Sequence, residues 1–301
     1  MNIDNSRAAA FRTCPWMYYE MYERNGTGIE AIPQYGEGYS ALEYGARVHE
    51  RLEEKYKGQL LYPPHENEAL EIESEIMMQA YQAHYPDEQL DIVDVERTFR
   101  IALPAYCPIC YTLLTEDGFW CDNCIKRINP RNSHILIGKI DLTLRNEGKL
   151  DIWDHKTEKR GSKSNVPQKW GARDQASLYL WAANKLYPNE EIGNFYVNVL
   201  TRQSEKGQVG PSFPERQKLE RNDRAIEIAI RDIVVVADEI ERYKRIFKDG
   251  EWPSNREQCY NWTYCPYYQL HRYGEQVDEI LKYKYQPKEE YLKLGGVPII
   301  Q

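Results

Sequence analysis

Two aspartates and a lysine stand on adjacent segments of the sequence GKIDLTLRNEGKLDIWDHK, residues 138–156. Asp141 lies in the first segment and Asp154 and Lys156 lie in the second, and the apolar alternation predicts a β-hairpin. A loop of two or four residues would place Asp141 directly opposite Asp154. Because strand side chains alternate, Asp154 and Lys156 would share one face while His155 points away.

These residue types suit phosphodiester hydrolysis assisted by a divalent cation. Two carboxylates about 5 Å apart repel each other unless a cation lies between them, and hard cations such as Mg²⁺ favour carboxylate oxygens. The cation would polarise a phosphoryl oxygen and activate water, while the lysine orients that water or stabilises developing charge. An exposed hairpin with solvated charges is the alternative, and the hairpin alone does not decide between them.

Two predicted helices supply further candidate residues. His49 lies one turn after Gly45, a residue that would let another backbone approach this helix closely. A lone histidine on an apolar helix face is more often a core residue than a ligand. Gln175 and Tyr179 are spaced i to i+4 on a later helix, so their side chains project the same way.

In this order and separation, the GxxxH pattern ending at His49, then Asp141, then DxK at 154–156, then QxxxY at 175–179 resembles one nuclease family. The family is the RecB-like branch of the PD-(D/E)xK superfamily, which includes the nuclease domains of RecB and AddB, CRISPR-associated RecB-like exonucleases and many phage nucleases. The resemblance covers roughly Cys14 to His271. It implies a restriction-endonuclease-like α/β (α+β) core, a short mixed sheet flanked by helices, and a divalent-metal-dependent deoxyribonuclease.

The resemblance also implies roles for individual residues. Lys156 would be the catalytic lysine, and Gln175 and Tyr179 would position the DNA strand. Glu96, on a predicted strand, is a further candidate carboxylate for the metal, although a glutamate on an edge strand is just as often solvated. The implied metal ligands are His49, Asp141, Asp154 and the backbone of Lys156. An imidazole ligand would favour Mn²⁺ over Mg²⁺.

Basic residues cluster directly after the hairpin, with Glu158 as the one acid among them. A local basic strip on an acidic protein suits a track for the DNA backbone, and Trp170 would be available to stack on a base. A flexible, solvated loop is the alternative. The basic residues are Lys156, Lys159, Arg160, Lys163, Lys169 and Arg173.

Four of the seven cysteines form two CxxC pairs separated by ten residues. This spacing predicts a structural, tetrahedral Zn²⁺ site within a small ribbon insertion, which the metal rather than burial would hold folded. Redox-active CxxC pairs are the weaker alternative. The ribbon insertion, residues 104–130, could contact DNA or a protein partner. The predicted zinc ligands are Cys107, Cys110, Cys121 and Cys124.

The other three cysteines lie near the two ends of the sequence. Many RecB-like nucleases hold a 4Fe-4S cluster with one cysteine ahead of GxxxH and three near the C-terminus. The resemblance therefore implies a cluster held by Cys14, Cys259 and Cys265, with His271 at the position of the fourth cysteine. These residues could also hold zinc, or they could be buried cysteines without metal.

The composition sets limits on the class of protein. The 301 residues, 42% of them hydrophobic, can bury an ordinary core, and no stretch approaches the roughly 20 apolar residues of a membrane span. The seven cysteines are an odd number, and the CxxC spacing of four of them suits metal ligation better than disulfide bonds. The sequence therefore predicts a reducing compartment, which we expect to be the cytoplasm of a bacterium, an archaeon or a phage-infected host. The net charge of −8 argues against nonspecific coating of nucleic acid.

Hydrophobic periodicity predicts helices flanking a few strands. The predicted helices are 6–23, interrupted near Pro15, then 39–57, 67–84, 174–186 and 214–247. The predicted strands are 91–103, 134–144, 150–157 and 195–201. We expect a nuclease domain over residues 1–275, interrupted by the ribbon insertion, and a C-terminal tail over 276–301.

Three functions remain open from the sequence. The first is an exonuclease acting on DNA ends in recombination, repair, phage replication or CRISPR adaptation, with a helicase, recombinase or integrase partner. The second is a nucleic-acid-binding module that has lost cleavage, against which the intact Lys156 and both aspartates count. The third is a structural subunit that uses the long helix near residue 230 as an interface. The sequence does not set the oligomeric state.

Overall fold

The structure, a computed structural model, describes residues 1–32, 38–114, 120–127, 129, 134–160, 170–203, 210–248, 251–261, 263–272, 276–288, 292 and 294–301. The chain divides into two compact units. Unit 1 comprises Met1–Ile32, Phe99–Gly138 and Glu227–Gln301, and unit 2 comprises Pro33–Thr98 and Lys139–Ile226.

In chain order the elements are β1 (Asn2–Ile3), α1 (Asn5–Thr13), α2 (Pro15–Tyr22), β2 (Ile29–Ala31), α3 (Ala41–Lys57), α4 (Glu68–His84), β3 (Asp91–Ala102), β4 (Trp120–Cys121), β5 (Lys126–Arg127), β6 (Ile135–Asn146), β7 (Lys149–Arg160), α5 (Gln175–Leu186), β8 (Ile192–Gln203), β9 (Gln217–Leu219), α6 (Asp223–Ile246), β10 (Tyr260–Asn261), β11 (Thr263–Tyr264), α7 (Tyr268–Arg272), α8 (Val277–Lys284), β12 (Tyr285–Pro287) and β13 (Ile299–Ile300). Short 3-10 turns lie at Arg24–Gly26 and Arg256–Cys259.

The hairpin of β6 and β7 is the central feature of unit 2. A two-residue turn joins the strands, with φ of 49° at Glu147 and 81° at Gly148, as a type I′ turn requires. The strands pair antiparallel from Asn146↔Lys149 to Leu142↔Trp153, and one further step of this register places Asp141 opposite Asp154. β7 then pairs parallel with β8, and β8 pairs antiparallel with β9, so the sheet is mixed.

Helix α3, which carries His49, has well-defined ends and a buried face. Ser40 and Glu43 form a capping box at its start, and Gly58 in the left-handed region ends it. Its buried stripe runs through Tyr44, Val48 and Leu52, whereas Leu42 in its first turn is 76% exposed. A Cβ at Gly45 would lie 3.0 Å from the Thr157 side chain, so glycine there permits close packing of α3 on β7.

The predicted α/β core, a mixed sheet flanked by helices, is confirmed. The predicted helix over residues 214–247 is wrong in its first part, because α6 begins at Asp223. Residues Gln217–Leu219 instead form strand β9, which pairs with β8. Pairing with β8 gives the backbone of this segment inter-strand hydrogen-bond partners, and the helix begins only after it. The side chain of Asn222 caps α6 by accepting from the Ala225 backbone.

Unit 1 gathers elements from both ends of the chain. The first predicted helix is interrupted as expected, because Cys14 is extended between α1 and α2. β1 pairs parallel with Ile135 and Leu136 of β6, β13 pairs with the end of β3, and β2 pairs with β12. No helix in the described part of the chain has the length and apolar character needed to span a membrane.

Candidate metal centre and active site

Three side chains from three elements of unit 2 converge on one point. Nδ1 of His49, on α3, lies 3.6 Å from Oε1 of Glu96, on β3, and 3.7 Å from Oδ2 of Asp141, on β6. Nδ1 of His49 is buried and has no hydrogen-bond partner among the residues that the structure describes. Atoms that share one ion at 2.0–2.6 Å lie about 3 to 4 Å apart. The donor set therefore fits a single divalent cation, with two hard oxygens and one imidazole nitrogen.

Glu96 reaches this point through an unusual backbone conformation. Its φ is 56°, in the left-handed region, although it lies in the interior of β3. A non-glycine residue held there costs on the order of 1–3 kcal/mol, and such residues concentrate at functional sites. Its second oxygen, Oε2, is ion-paired with the ammonium of Lys139. Glu96, for which the sequence left open a metal-binding or a solvated position, thus lies beside His49 and Asp141.

Asp154, Lys156 and Gln175 form an adjoining group. The ammonium of Lys156 lies 2.8 Å from Oδ1 and 2.7 Å from Oδ2 of Asp154. Gln175, at the start of α5, donates to Oδ1 of the same carboxylate at 2.9 Å. The Asp154 side chain is 3% exposed. Among the described residues, Asp154 is not in the group whose ligand atoms all lie within 4.8 Å. Its role as a metal ligand, like that of the Lys156 backbone, stays a prediction.

The backbone of His155 holds the Asp141 carboxylate in place. Its backbone N–H donates to Oδ2 of Asp141 at 2.7 Å, which fixes one carboxylate oxygen. Its side chain lies away from Asp154: Nδ1 lies 2.9 Å from the side-chain nitrogen of Asn198, and the ring stacks on Tyr56. With Asn198 donating, the proton of the His155 ring is placed on Nε2. Sequence alternation predicted this direction, whereas no sequence signal marked Asn198.

Two carboxylates of the site, those of Asp154 and Asp141, hold protons more readily than free ones. Burial raises the pKa of Asp154 to about 6, with Lys156 opposing the rise and Asp141 adding to it. Burial likewise raises the pKa of Asp141, although His49 opposes it. For His49, burial alone would lower the pKa, but Asp141 and Glu96 outweigh it and raise the pKa. Protons and a cation therefore compete for the same atoms.

We expect Mn²⁺ affinity to rise steeply between pH 5.5 and pH 7.5, by at least about tenfold. Below about pH 6 Asp154 is protonated, and a histidine with a raised pKa keeps a proton on the nitrogen that would bind the cation. As the pH rises, Asp154 releases its proton first, and His49, whose pKa is raised above its ordinary value by Asp141 and Glu96, releases its proton at higher pH, so affinity increases with pH and not the reverse. Isothermal titration calorimetry in buffers of different ionisation enthalpy measures both the affinity and the released protons. An affinity independent of pH across this range would contradict the expectation.

The basic strip is only partly placed. Trp170 is 8% exposed, and its ring is covered by the ammonium of Lys156 at 5.4 Å and the guanidinium of Arg173 at 4.3 Å. In this arrangement the ring contacts two cations, and its stacking on a base stays a prediction. Tyr179 packs edge-on against Phe195. Lys163 and Lys169 lie outside the described residues, as do the side chains of Lys159 and Arg160.

The two CxxC pairs come together in unit 1. Sγ of Cys107 lies 3.8 Å from Sγ of Cys124, and Sγ of Cys110 lies 3.5 Å from Sγ of Cys121. Thiolates bound tetrahedrally at about 2.3 Å from one Zn²⁺ lie about 3.8 Å apart. Thr112 lowers the pKa of Cys110 to about 5, whereas hydrogen bonding with Cys110 raises the pKa of Cys124 to about 12. Such a set can release all four protons only when a cation balances the charge, so the cluster is compatible with zinc.

The three remaining cysteines also approach one another in unit 1. Cys14 is buried and its sulfur accepts from the Asn255 backbone at 3.3 Å, while the Cys265 backbone donates to the Cys259 carbonyl. Burial raises the pKa of Cys265, and Cys259 and Cys14 add to the rise. The ring of His271 stacks on Trp16, with centroids 3.6 Å apart.

Among the described residues, these four do not form a group with all ligand atoms within 4.8 Å. A single ion requires such closeness, whereas a four-iron cluster holds its ligands farther apart. The iron-sulfur assignment therefore stays a prediction.

The sequence matches the family described as the PD-(D/E)XK nuclease superfamily over residues 5–270. No curated protein matches it. Among solved structures it is similar to "Crystal structure of SSO0001", with 12% identity, a TM-score of 0.27, and coverage of 69% of this chain and 84% of that chain. Because the family match spans most of the sequence, the chain belongs to the PD-(D/E)XK nuclease superfamily, whose members are typically metal-dependent nucleases.

Proposed function

We propose that this chain is a divalent-metal-dependent deoxyribonuclease of the RecB-like branch that hydrolyses phosphodiester bonds from DNA ends. The observation that carries the proposal is the convergence of His49, Glu96 and Asp141, with the Asp154–Lys156 pair beside them. Membership of the superfamily supports the nuclease activity. The order of GxxxH, Asp141, DxK and QxxxY supports the branch.

Each residue has a distinct part in this proposal. His49, Glu96 and Asp141 hold the cation, which supplies Lewis acidity toward a phosphoryl oxygen. The ammonium of Lys156 donates to the attacking water or to a phosphate oxygen. Gln175 fixes the Asp154 carboxylate, and that carboxylate fixes the lysine. Asp154 and the Lys156 backbone are further ligand candidates, and Tyr179 and the basic strip would contact the DNA strand.

Cleavage of end-labelled linear single-stranded DNA, linear duplex and a closed circle, with Mg²⁺ or Mn²⁺, tests this function. We expect the wild-type chain to degrade only molecules with ends, and Asp154→Ala to degrade none, because Lys156 loses its partner and the site loses a carboxylate. Lys185→Ala, at an exposed position of α5, is the matched control and should retain cleavage. Cutting of the closed circle would make the chain an endonuclease. Binding without cutting of any substrate by the wild-type chain would favour the binding module.

The cysteine sites and partners are further parts of the proposal. The Cys107, Cys110, Cys121 and Cys124 cluster would hold one structural Zn²⁺ and no substrate, because four thiolates leave no open position. A 4Fe-4S cluster held by Cys14, Cys259, Cys265 and His271 would join segments from the two ends of the chain. The nuclease domain would cover 1–275, with the ribbon insertion at 104–130 and a tail at 276–301. Copurification would reveal a helicase, recombinase or integrase partner.

A further inference from the structure

Lys139 is a second lysine of the site, and no motif of the family resemblance includes it. It lies on β6 two residues before Asp141, so the two side chains share a face of the strand. Its ammonium is ion-paired with Oε2 of Glu96, and the side chains of Lys139 and Glu96 are 23% and 8% exposed. The other oxygen of Glu96, Oε1, faces Nδ1 of His49 at 3.6 Å. Glu96 thus contacts the Lys139 ammonium through one oxygen and faces the metal-binding group through the other.

The two lysines occupy equivalent places on the hairpin. Each lies three residues beyond Leu142↔Trp153, the last pair of the hairpin ladder: Lys139 on β6 and Lys156 on β7. Lys156 contacts both oxygens of Asp154, and Lys139 contacts the outer oxygen of Glu96. Of the three acids at the site, only Asp141 has no lysine contact among the ion pairs of the described residues, and one of its oxygens accepts from the His155 backbone.

This arrangement leaves little room for a second divalent cation. Two-metal phosphodiesterase sites hold ions about 3.5–4 Å apart, and both ions need carboxylate oxygens that no other cation occupies. Here Oε2 of Glu96 and both oxygens of Asp154 are held by ammonium groups. Three carboxylates against two ammoniums leave one net negative charge, which a single divalent cation already exceeds. Each further cation must enter against like charge in a buried site.

We propose that Lys139 is an internal counter-cation that takes the place of a second divalent metal and restricts the site to one ion. The proposal rests on the metal centre proposed above. Lys139 is a positioning and charge-balancing residue, since it acts through Glu96. The chemical class of the ligand it excludes is a second hard divalent cation, Mg²⁺ or Mn²⁺.

Calorimetric titration of the full chain with Mn²⁺ at pH 7.5 tests the proposal without relying on cleavage. The wild-type chain and Lys139→Arg, which keeps the charge, should bind one ion at the site. Lys139→Gln should bind a second ion, or bind the first at least about tenfold more tightly, because a positive charge has been removed. Lys149→Gln is the matched control, since Lys149 is ion-paired with Glu191 at the turn end of the same hairpin. It should behave as the wild type.

The outcomes separate this inference from the function on which it rests. Unchanged stoichiometry and affinity in Lys139→Gln, or weaker binding, would overturn the counter-cation role, the latter showing that Lys139 only orients Glu96. Absence of Mn²⁺ binding by the wild-type chain would overturn the metal centre itself. If Lys139→Gln fails to fold in a thermal melt, Lys139→Met, which retains the aliphatic stem, replaces it with the same expected result.

Discussion

Lys156→Ala is expected to reduce DNA cleavage by about 10²- to 10³-fold while changing DNA affinity by no more than a few-fold. The ammonium of Lys156 bonds both oxygens of Asp154 and lies beside the metal-binding group, where it can stabilise charge that develops only in the transition state. Loss of such an interaction lowers the rate of the chemical step and leaves ground-state binding of DNA nearly intact. Single-turnover cleavage and fluorescence anisotropy measure the two quantities separately.

A control variant and a stability measurement accompany Lys156→Ala. Lys185→Ala removes an exposed lysine from α5 and should leave both cleavage and binding unchanged. The thermal midpoint of Lys156→Ala must also be recorded, because removing the lysine leaves the buried Asp154 carboxylate with Gln175 as a remaining partner. Parallel loss of cleavage and of DNA affinity, in a protein that remains folded, would show that Lys156 acts through affinity.

Cys107→Ser is expected to eliminate bound zinc, from about one ion per chain to nearly none, and to unfold the ribbon insertion. The apolar cluster around the metal-binding sulfurs consists of the four cysteines themselves, with Leu114 beside them. Burial of so few groups cannot offset the entropy of ordering the segment, so metal ligation has to supply the folding free energy. Mass spectrometry of metal content measures the zinc, and limited proteolysis within residues 104–130 measures the unfolding.

Cys265→Ser distinguishes the two cysteine sites. It lies outside the CxxC pairs and should retain the zinc, while any iron in the protein should be lost with it if the terminal cysteines hold a cluster. Zinc content that stays at the wild-type level in Cys107→Ser would contradict the ribbon assignment. Iron absent from the wild-type chain, purified without oxygen, would contradict the cluster.

Features encoded in short stretches of sequence were predicted well. The hairpin follows from alternating apolar residues around Gly148, and the two-residue turn fixes the register of Asp141 and Asp154. Helix α3 follows from its capping residues and apolar spacing. The ordered motifs likewise predicted the superfamily and its mixed α/β fold, and both are confirmed.

Features that depend on distant contacts could not be read in the same way. Nothing in the local sequence shows that Glu96 adopts a positive φ, because that conformation is maintained by surrounding structure rather than by residue preference. The pairing of Lys139 with Glu96 joins two strands separated by the ribbon insertion. Strand β9 lies where helical spacing predicted the start of α6. Its residues are extended because they pair with β8, a contact that local spacing does not show.

The exposure of Trp170 was also beyond local reasoning. A tryptophan within a basic strip suggests a stacking platform, but the cations that flank it in sequence cover its ring in the structure. Cation–π contacts of this kind compete with stacking on a base. Stacking of Trp170 on a base therefore stays a prediction.

Electron paramagnetic resonance of Mn²⁺ bound to the wild-type chain tests the metal centre itself. We expect one tightly bound ion with nitrogen hyperfine coupling from the His49 ring, and loss of that coupling in His49→Ala. His65→Ala, at an exposed position in the same unit, is the control and should leave the signal intact. Mn²⁺ that binds without nitrogen coupling, or with a coupling that persists in His49→Ala, would contradict a metal centre formed by His49, Glu96 and Asp141.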